Sequence, residues 1–248
     1  MSTVADQPLA GRIAVVTGAG RGIGRAIATG YARAGAHVVV ASRTPSDLAS
    51  LVDEITAAGG RATAVPSDIT SEPEVERMFA ATDALGGLDI VVCNAGGMPS
   101  RGPVADSDPD TWRASLELNF FAAYLCARAA IGRLRARGGG KIILVGSGVG
   151  HRGTPEFAAY ACAKAAQWML TRVLAQEVQG DAISVNELIP GPVATTIGTG
   201  TLRVGTDSPF PTEWAKTPED VVPLALLLAT FPDHGPSAQS FSLMRRDR

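Results

Sequence analysis

Runs of consecutive apolar, mostly β-branched residues alternate along the chain with longer segments whose apolar positions recur every three or four residues. The first run lies in "RIAVVTG", and the helical pattern "GIGRAIATGYARAG" follows it, ending on Gly35. "AHVVVASR" reads as the second strand and "TPSDLASLVDEITAAGG" as the second helix. "ATAVPSD" and "LDIVVCNAG" are two more strands, around a helix from Ser71; "KIILVGS", "AISVNELI" and "AQSFSLM" complete the set. Strands without polar alternation, separated by helices, belong to a parallel sheet covered on both faces. The expected fold is α/β: one doubly wound domain over residues 1–248 with a mainly parallel seven-stranded sheet.

Helix starts carry their own signals. Thr44-Pro45, Asp108-Pro109 and Thr217-Pro218 each set a capping side chain before a proline at the first helical position. Ser71-Glu72-Pro73-Glu74 matches a capping box. Two long alanine-rich helices are expected near 112–137 and 156–179, with apolar residues on more than one face. Residues 191–216, rich in Gly, Pro and Thr, read as a long loop and a lid over a substrate.

Composition acts mainly by exclusion. Apolar residues make up 46% and charged residues 19%, with a net charge of -2, so a sizeable core is possible and nothing electrostatic favours nucleic acid. Arg133, Arg135 and Arg137, and the tail Arg245-Arg246-Asp247-Arg248, read as solvated surface or a helix end. Cys93, Cys126 and Cys162 are odd in number and form no CxxC, which fits a reduced cytoplasm and argues against a zinc site or a disulfide framework. The N-terminus lacks a signal-peptide pattern. "VVPLALLLA" is too short to span a bilayer.

The chemistry gathers at strand ends. "TGAGRGIG" joins the first strand to the first helix, and Gly18, Gly22 and Gly24 give G-x-x-x-G-x-G. Such a turn lets phosphate approach the backbone at a helix N-terminus, where amide donors and the dipole favour an anion. "CNAGG", residues 93–97, follows the fourth strand, where small residues let a cofactor pass. Asp68, ending the third strand, can accept from an adenine amino group or simply close a turn. In "AYACAKAAQWML", Tyr160 and Lys164 share a helix face at i, i+4. Cys162 points to the far side, toward packing or an interface. His151 reads as either pocket lining or loop surface; Trp214 and Leu202 read as either an apolar roof or loop packing.

With Thr17-Gly18, Gly22, Gly24, Asp68, Asn94-Ala95-Gly96, Asn119, Ser147, Tyr160, Lys164 and Pro190-Gly191 in this order, the sequence resembles the short-chain dehydrogenase/reductase family over nearly its whole length. The resemblance implies a Rossmann-fold, NAD(P)-dependent oxidoreductase interconverting a ketone and a secondary alcohol. It makes Tyr160 the general acid/base. Lys164 lowers the phenol's pKa by its charge and holds the nicotinamide ribose, Ser147 holds the substrate oxygen, and Asn119 joins a proton relay through water. Along the cofactor it places Thr17, Gly18, Arg21, Gly22, Ile23, Gly24, Ser42, Arg43, Asp68, Ile69, Asn94, Ala95, Gly96, Pro190, Gly191, Val193 and Thr195, with Tyr160 and Lys164; Thr195 or Thr196 contacts the carboxamide. It also implies a homotetramer paired through the two long helices, with a dimer as the alternative.

Coenzyme choice is read from the second strand. An NAD-selecting site carries Asp or Glu about 20 residues after the glycine turn. Here Ser42 holds that place and Arg43 follows, while Asp47 lies a turn into the next helix and is expected to be too far to substitute. Arg43 and Arg21 suit a 2′-phosphate, so NADP(H) is expected over NAD; the alternative is that Arg43 stacks on adenine and tolerates either. A 3-oxoacyl thioester and a small or cyclic ketone both stand as substrates. Cys93-Asn94 replaces the two asparagines of many relatives, and "SFSLMRRDR" replaces the usual Asp-Gly-Gly after the last strand. A non-catalytic NADP(H)-binding regulator or scaffold is the competing class, disfavoured by the intact Asn119, Ser147, Tyr160 and Lys164. The longer epimerase/dehydratase relatives fit neither the length nor the glycine pattern.

Overall fold

The computed structural model describes residues 7–195 and 213–244. Thr196, Leu202, most of the expected lid and the arginines of 245–248 lie outside the described residues. Seven strands form one parallel sheet in the order β3-β2-β1-β4-β5-β6-β7. They are β1 (Ile13–Thr17), β2 (His37–Ser42), β3 (Arg61–Pro66), β4 (Ile90–Cys93), β5 (Gly140–Val145), β6 (Ile183–Ile189) and β7 (Ser240–Ser242). The strand order reverses between β1 and β4, and a crevice opens at the carboxyl ends of the strands there.

Helices α1 (Gly22–Arg33), α2 (Pro45–Ala57) and α7 (Val222–Thr230) cover one face of the sheet; α3 (Glu72–Asp83), α5 (Ala122–Arg137) and α6 (Ala158–Glu177) cover the other. Strand β2 shows why its sequence lacks polar alternation. Val38 and Val40 enter the core under α1, α2 and α7, and Val39 and Ala41 enter the opposite core. All four are fully buried, so either face would be damaged by a polar residue. Tyr31 on α1 donates its hydroxyl to Ala225 O at 2.8 Å, which ties α1 to α7 and satisfies a phenol buried in that core.

The helix starts divide. Asp108 caps α4 (Pro109–Leu116) by accepting from Thr111 N at 3.0 Å. Thr217 and Asp220 cap each other's backbone: Thr217 N donates to Asp220 Oδ2 at 2.8 Å and Asp220 N to Thr217 Oγ1 at 3.3 Å. Thr44 makes no side-chain cap bond. The box at Ser71 does not close either. Ser71 N already donates to Asp68 O, so Glu74 Oε2 reaches past it and accepts from Asp68 N at 2.8 Å. The helix expected near 112–137 begins at Pro109, and a π-helical turn, Glu117–Phe121, joins α4 to α5. Among the described residues no helix is long and apolar enough to cross a membrane.

Candidate active site

The glycine turn is held by its neighbours. Gly18 (φ +65°) and Gly22 (φ +56°) adopt left-handed backbone, and a Cβ on Gly18 would stand 2.8 Å from Ala95 Cα. Gly24 sits in the first turn of α1, where a Cβ would overlap both Asn94 Nδ2 and Gly18 O. Thr17 Oγ1 accepts from Asn94 N at 3.0 Å and from Ala95 N at 3.1 Å, and Asn94 Nδ2 donates to Thr17 O at 2.8 Å. These bonds pin the ends of β1 and β4 together. The cleft above them has a volume of about 360 Å³. The first turn of α1 carries no acidic residue, so its free amides are left for an anion.

Most of the expected residues converge on this cleft. Gly18, Arg21, Gly22, Ile23, Ser42, Arg43, Asp68, Ile69, Asn94, Ala95, Gly96, Pro190, Gly191, Val193 and Thr195 line it, as do Ser147, Tyr160 and Lys164. Thr17 and Gly24 lie behind it and act on its shape. Asp68 does both things its sequence position allows. It lines the cleft, and its Oδ1 accepts from Thr70 N at 3.0 Å and Thr70 Oγ1 at 2.8 Å. The Thr70 backbone bond, ahead of other causes, lowers its carboxyl pKa.

Asp47 requires a correction. Helix α2 starts at Pro45, and its first turn packs back on the glycine turn. A Cβ on Gly20 would lie 3.0 Å from both Asp47 Cβ and Ser42 Oγ, and 3.3 Å from Asp47 Oδ2. Asp47 therefore stands beside Ser42 on the cleft wall and is not remote from it.

The other end of the cleft holds the catalytic candidates. Ser147 follows β5, and Tyr160 lies in the first turn of α6. Burial raises the Tyr160 pKa above the ordinary phenol value, and a hydrogen bond with Ser147 opposes the rise. Lys164 is 3% exposed. Its Nζ lies 5.8 Å from the Tyr160 ring centroid, and it donates to Val145 O at 2.7 Å and to Gln167 Oε1 at 2.9 Å. Burial, partly offset by Glu187 and Cys93, lowers its pKa to about 8. Burial is the main cause of the raised Tyr160 pKa and Lys164 is not among its causes, so the expected lowering by Lys164 does not set the direction of the shift. Gln167 was missed in the sequence, although a buried amide at i+3 from a lysine on an alanine-rich helix is a readable signal.

Asn119 does not reach the cleft. It is 1% exposed inside the π-helical turn. Its Oδ1 accepts from Gly97 N at 3.0 Å, while its Nδ2 donates to Gly97 O at 2.8 Å and to Ser115 O at 2.9 Å. The amide is thereby committed to holding the loop after β4. His151 also turns away: its Nε2 lies 2.8 Å from Glu187 Oε2, and its ring packs on Trp168. Trp214, 46% exposed, is not part of the cleft wall. Met244, after β7, does line it and packs on Gly148 and Gly191, so the unusual chain end supplies an apolar wall.

The left-handed glycines, the acid-free helix start and the arginines at one end of an elongated cleft fit a dinucleotide carrying phosphate. Comparison with known proteins agrees. The short chain dehydrogenase family model matches residues 12–203, and the chain belongs to the short-chain dehydrogenase/reductase family. It is an NAD(P)-dependent oxidoreductase of that family. A short-chain type dehydrogenase/reductase of Picea abies is 37% identical, over 90% of this chain and 87% of its own. An NADPH-dependent aldehyde reductase-like chloroplastic protein of Arabidopsis thaliana is 36% identical, over 90% and 88%. Among solved structures, a Beutenbergia cavernae protein provisionally named an NAD(P)-dependent gluconate 5-dehydrogenase, with NADP bound at low occupancy, is 36% identical. It superposes with a TM-score of 0.82 over 94% of this chain and 95% of its own. A 3-ketoacyl-ACP reductase of Sinorhizobium meliloti is 32% identical, with a TM-score of 0.84 over 93% and 96%.

Proposed function

We propose that the protein, as one domain, is an NADP(H)-dependent ketoreductase that interconverts a ketone and a secondary alcohol, with Tyr160 as the general acid/base. The observation that carries this is the layout of the cleft: Ser147, Tyr160 and Lys164 meet at one end, and Arg21 and Arg43 stand at the other. The reductase names of the Arabidopsis and Sinorhizobium relatives and the NADP in the Beutenbergia protein support it.

The coenzyme, when bound, supplies the hydride. The glycine turn and the α1 amides would hold its pyrophosphate, Asp68 and Ile69 its adenine, and Asn94 to Gly96 with Lys164 its second ribose. Gly191, Val193 and Thr195 would serve the carboxamide. Ser147 orients the substrate oxygen and Tyr160 donates the proton to it. Asn119, through Gly97, keeps the floor of the site in place. Phe157, Leu118 and Met244 give the substrate an apolar enclosure, which suits a small or cyclic ketone or the acyl part of a 3-oxoacyl thioester. The three free cysteines, Cys93, Cys126 and Cys162, fit a reducing compartment such as the cytoplasm.

Ser42 and Arg43 predict the coenzyme preference. A charged hydrogen bond is worth roughly 1.5–3 kcal/mol, and about 1.4 kcal/mol is tenfold. In kcat/KM, NADPH should therefore exceed NADH by about tenfold or more. Ser42→Asp with Arg43→Ala should move the ratio toward NADH. Equal or better kinetics with NADH in the unmodified protein would refute the assignment.

Assembly is expected to be tetrameric. Phe121 (40% exposed) and Tyr124 (36%) on the outer side of the α5 region, and Met169 (48%) and Val173 (44%) on α6, leave apolar surface uncovered in one chain. A second copy of the same helices covers it. Light scattering should give four times 25.5 kDa; a stable monomer at micromolar concentration would overturn the pairing.

A further inference from the structure

We propose that Asp47 is a coenzyme-selecting residue: its carboxylate accepts from the adenosine ribose 2′-hydroxyl of NAD(H) and repels the 2′-phosphate of NADP(H). The proposal rests on the assignment of the cleft as a nicotinamide dinucleotide site.

Three observations carry it. First, the carboxylate is at the right wall. Asp47 lines the cleft together with Ser42, Arg43 and Arg21. A single methyl group added at Gly20 would touch Asp47 and Ser42 at once, at 3.0 Å from Asp47 Cβ and from Ser42 Oγ. Ser42 ends β2, where an NAD-selecting fold of this type normally presents its carboxylate. In this chain the strand end offers a hydroxyl, and the carboxylate arrives beside it from the first turn of α2.

Second, the placement is fixed. Arg25 Nη1 donates to Gly20 O at 3.4 Å and to Asp47 O at 3.3 Å, and its Nη2 pairs with Glu54 at 2.7 Å. One guanidinium thus clamps the glycine turn, the start of α2 and its third turn together. Asp47 is presented by a held backbone, not by a loose loop.

Third, the Asp47 carboxylate has no hydrogen bond or ion pair to another side chain among the described residues, although Arg21 and Arg43 line the same cleft and Arg25 holds the Asp47 backbone carbonyl. Arg25 is committed to backbone carbonyls, Ser50 and Glu54. Arg21 and Arg43 are exposed beside the cleft. The wall therefore presents both signs of charge. A 2′-phosphate carries a charge near -2 at neutral pH; it is drawn by the two arginines and opposed by Asp47. A ribose hydroxyl is neutral, and donates to Asp47. Opposed charges of this kind make a site that accepts both coenzymes and sets their ratio, where the arginines alone would favour one strongly.

The test is equilibrium binding without substrate, by titration calorimetry with NADPH and with NADH, on the whole unmodified protein and on Asp47→Asn, Asp47→Ala and Arg43→Ala. Asp47→Asn should tighten NADPH about tenfold, the change that about 1.4 kcal/mol makes, and weaken NADH several-fold. Asp47→Ala should follow the same direction, which guards against an asparagine that mimics the carboxylate's hydrogen bond. Arg43→Ala should move the ratio the opposite way. An NADPH-to-NADH affinity ratio unmoved by both Asp47 variants would overturn the proposal. The wild-type ratio is a separate readout. If it showed no preference for NADPH yet rose in the Asp47 variants, the assigned NADPH preference would fail while the role of Asp47 stood. If neither coenzyme bound the wild type, both would fall.

Discussion

Replacing Tyr160 with phenylalanine is expected to remove turnover while leaving the dissociation constant for NADPH nearly unchanged. The phenol is the group placed to act on the substrate oxygen, and its ring remains in the variant to pack against the cleft. General acid-base catalysis is typically worth about 10²–10⁴-fold, so kcat should fall by at least that range. The direction of the Tyr160 shift adds a pH signature. Burial raises the pKa of this phenol, so it stays protonated at neutral pH and is set to donate, which is its role in ketone reduction. Alcohol oxidation needs the phenolate, whose population grows only as pH rises toward that raised pKa. Oxidation should therefore accelerate through the alkaline range while reduction falls there. A Tyr160→Phe protein with near-normal kcat would remove Tyr160 from the mechanism.

Gly24→Ala should damage fold and coenzyme binding together. The added methyl would overlap Gly18 O and the Asn94 side chain, which is the clamp between β1 and β4. Neither neighbour can retreat cheaply: one is backbone, and the other is held to Thr17 O. Overpacking of this kind costs about 1–3 kcal/mol. That should lower the midpoint of thermal unfolding by several degrees, since about 1 kcal/mol shifts a domain of this size by roughly 2–4 °C. The displaced turn should weaken NADPH at least tenfold. Unchanged melting and unchanged affinity would show that the close approach at Gly24 carries no constraint.

Features set by local backbone demands were legible in the sequence. Gly18 and Gly22 need left-handed backbone, the buried strands need unbroken apolar runs, and Tyr160 and Lys164 share a face because of helical spacing. What failed to show depends on how distant segments fold back on one another. Asp47 looked too far because it lies a turn into the next helix, whereas the first turn of α2 is clamped onto Gly20 by Arg25. Asn119 was read as facing the site, but a π-helical turn, which has no simple sequence mark, turns its amide onto Gly97. His151 found Glu187 on β6, thirty-six positions away, and Met244 returned to the cleft because β7 pairs beside β6. The expected effect of Lys164 on Tyr160 was sound as pairwise electrostatics. Desolvation at the cleft wall, which depends on how the chain folds around the phenol and not on helical spacing, sets the direction instead.

Carbonyl-dependent oxidation of NADPH, followed over a panel of small ketones, cyclic ketones and 3-oxoacyl thioesters, tests the central claim most directly. It should be run on the wild type and on Tyr160→Phe after both are shown to bind NADPH. The account predicts that the wild type consumes NADPH in step with at least one class of carbonyl and forms the matching alcohol, while the variant binds the coenzyme and does neither. Saturable NADPH binding by the wild type with no oxidation by any carbonyl in the panel would contradict it and favour a coenzyme-binding regulator or scaffold built on the same fold.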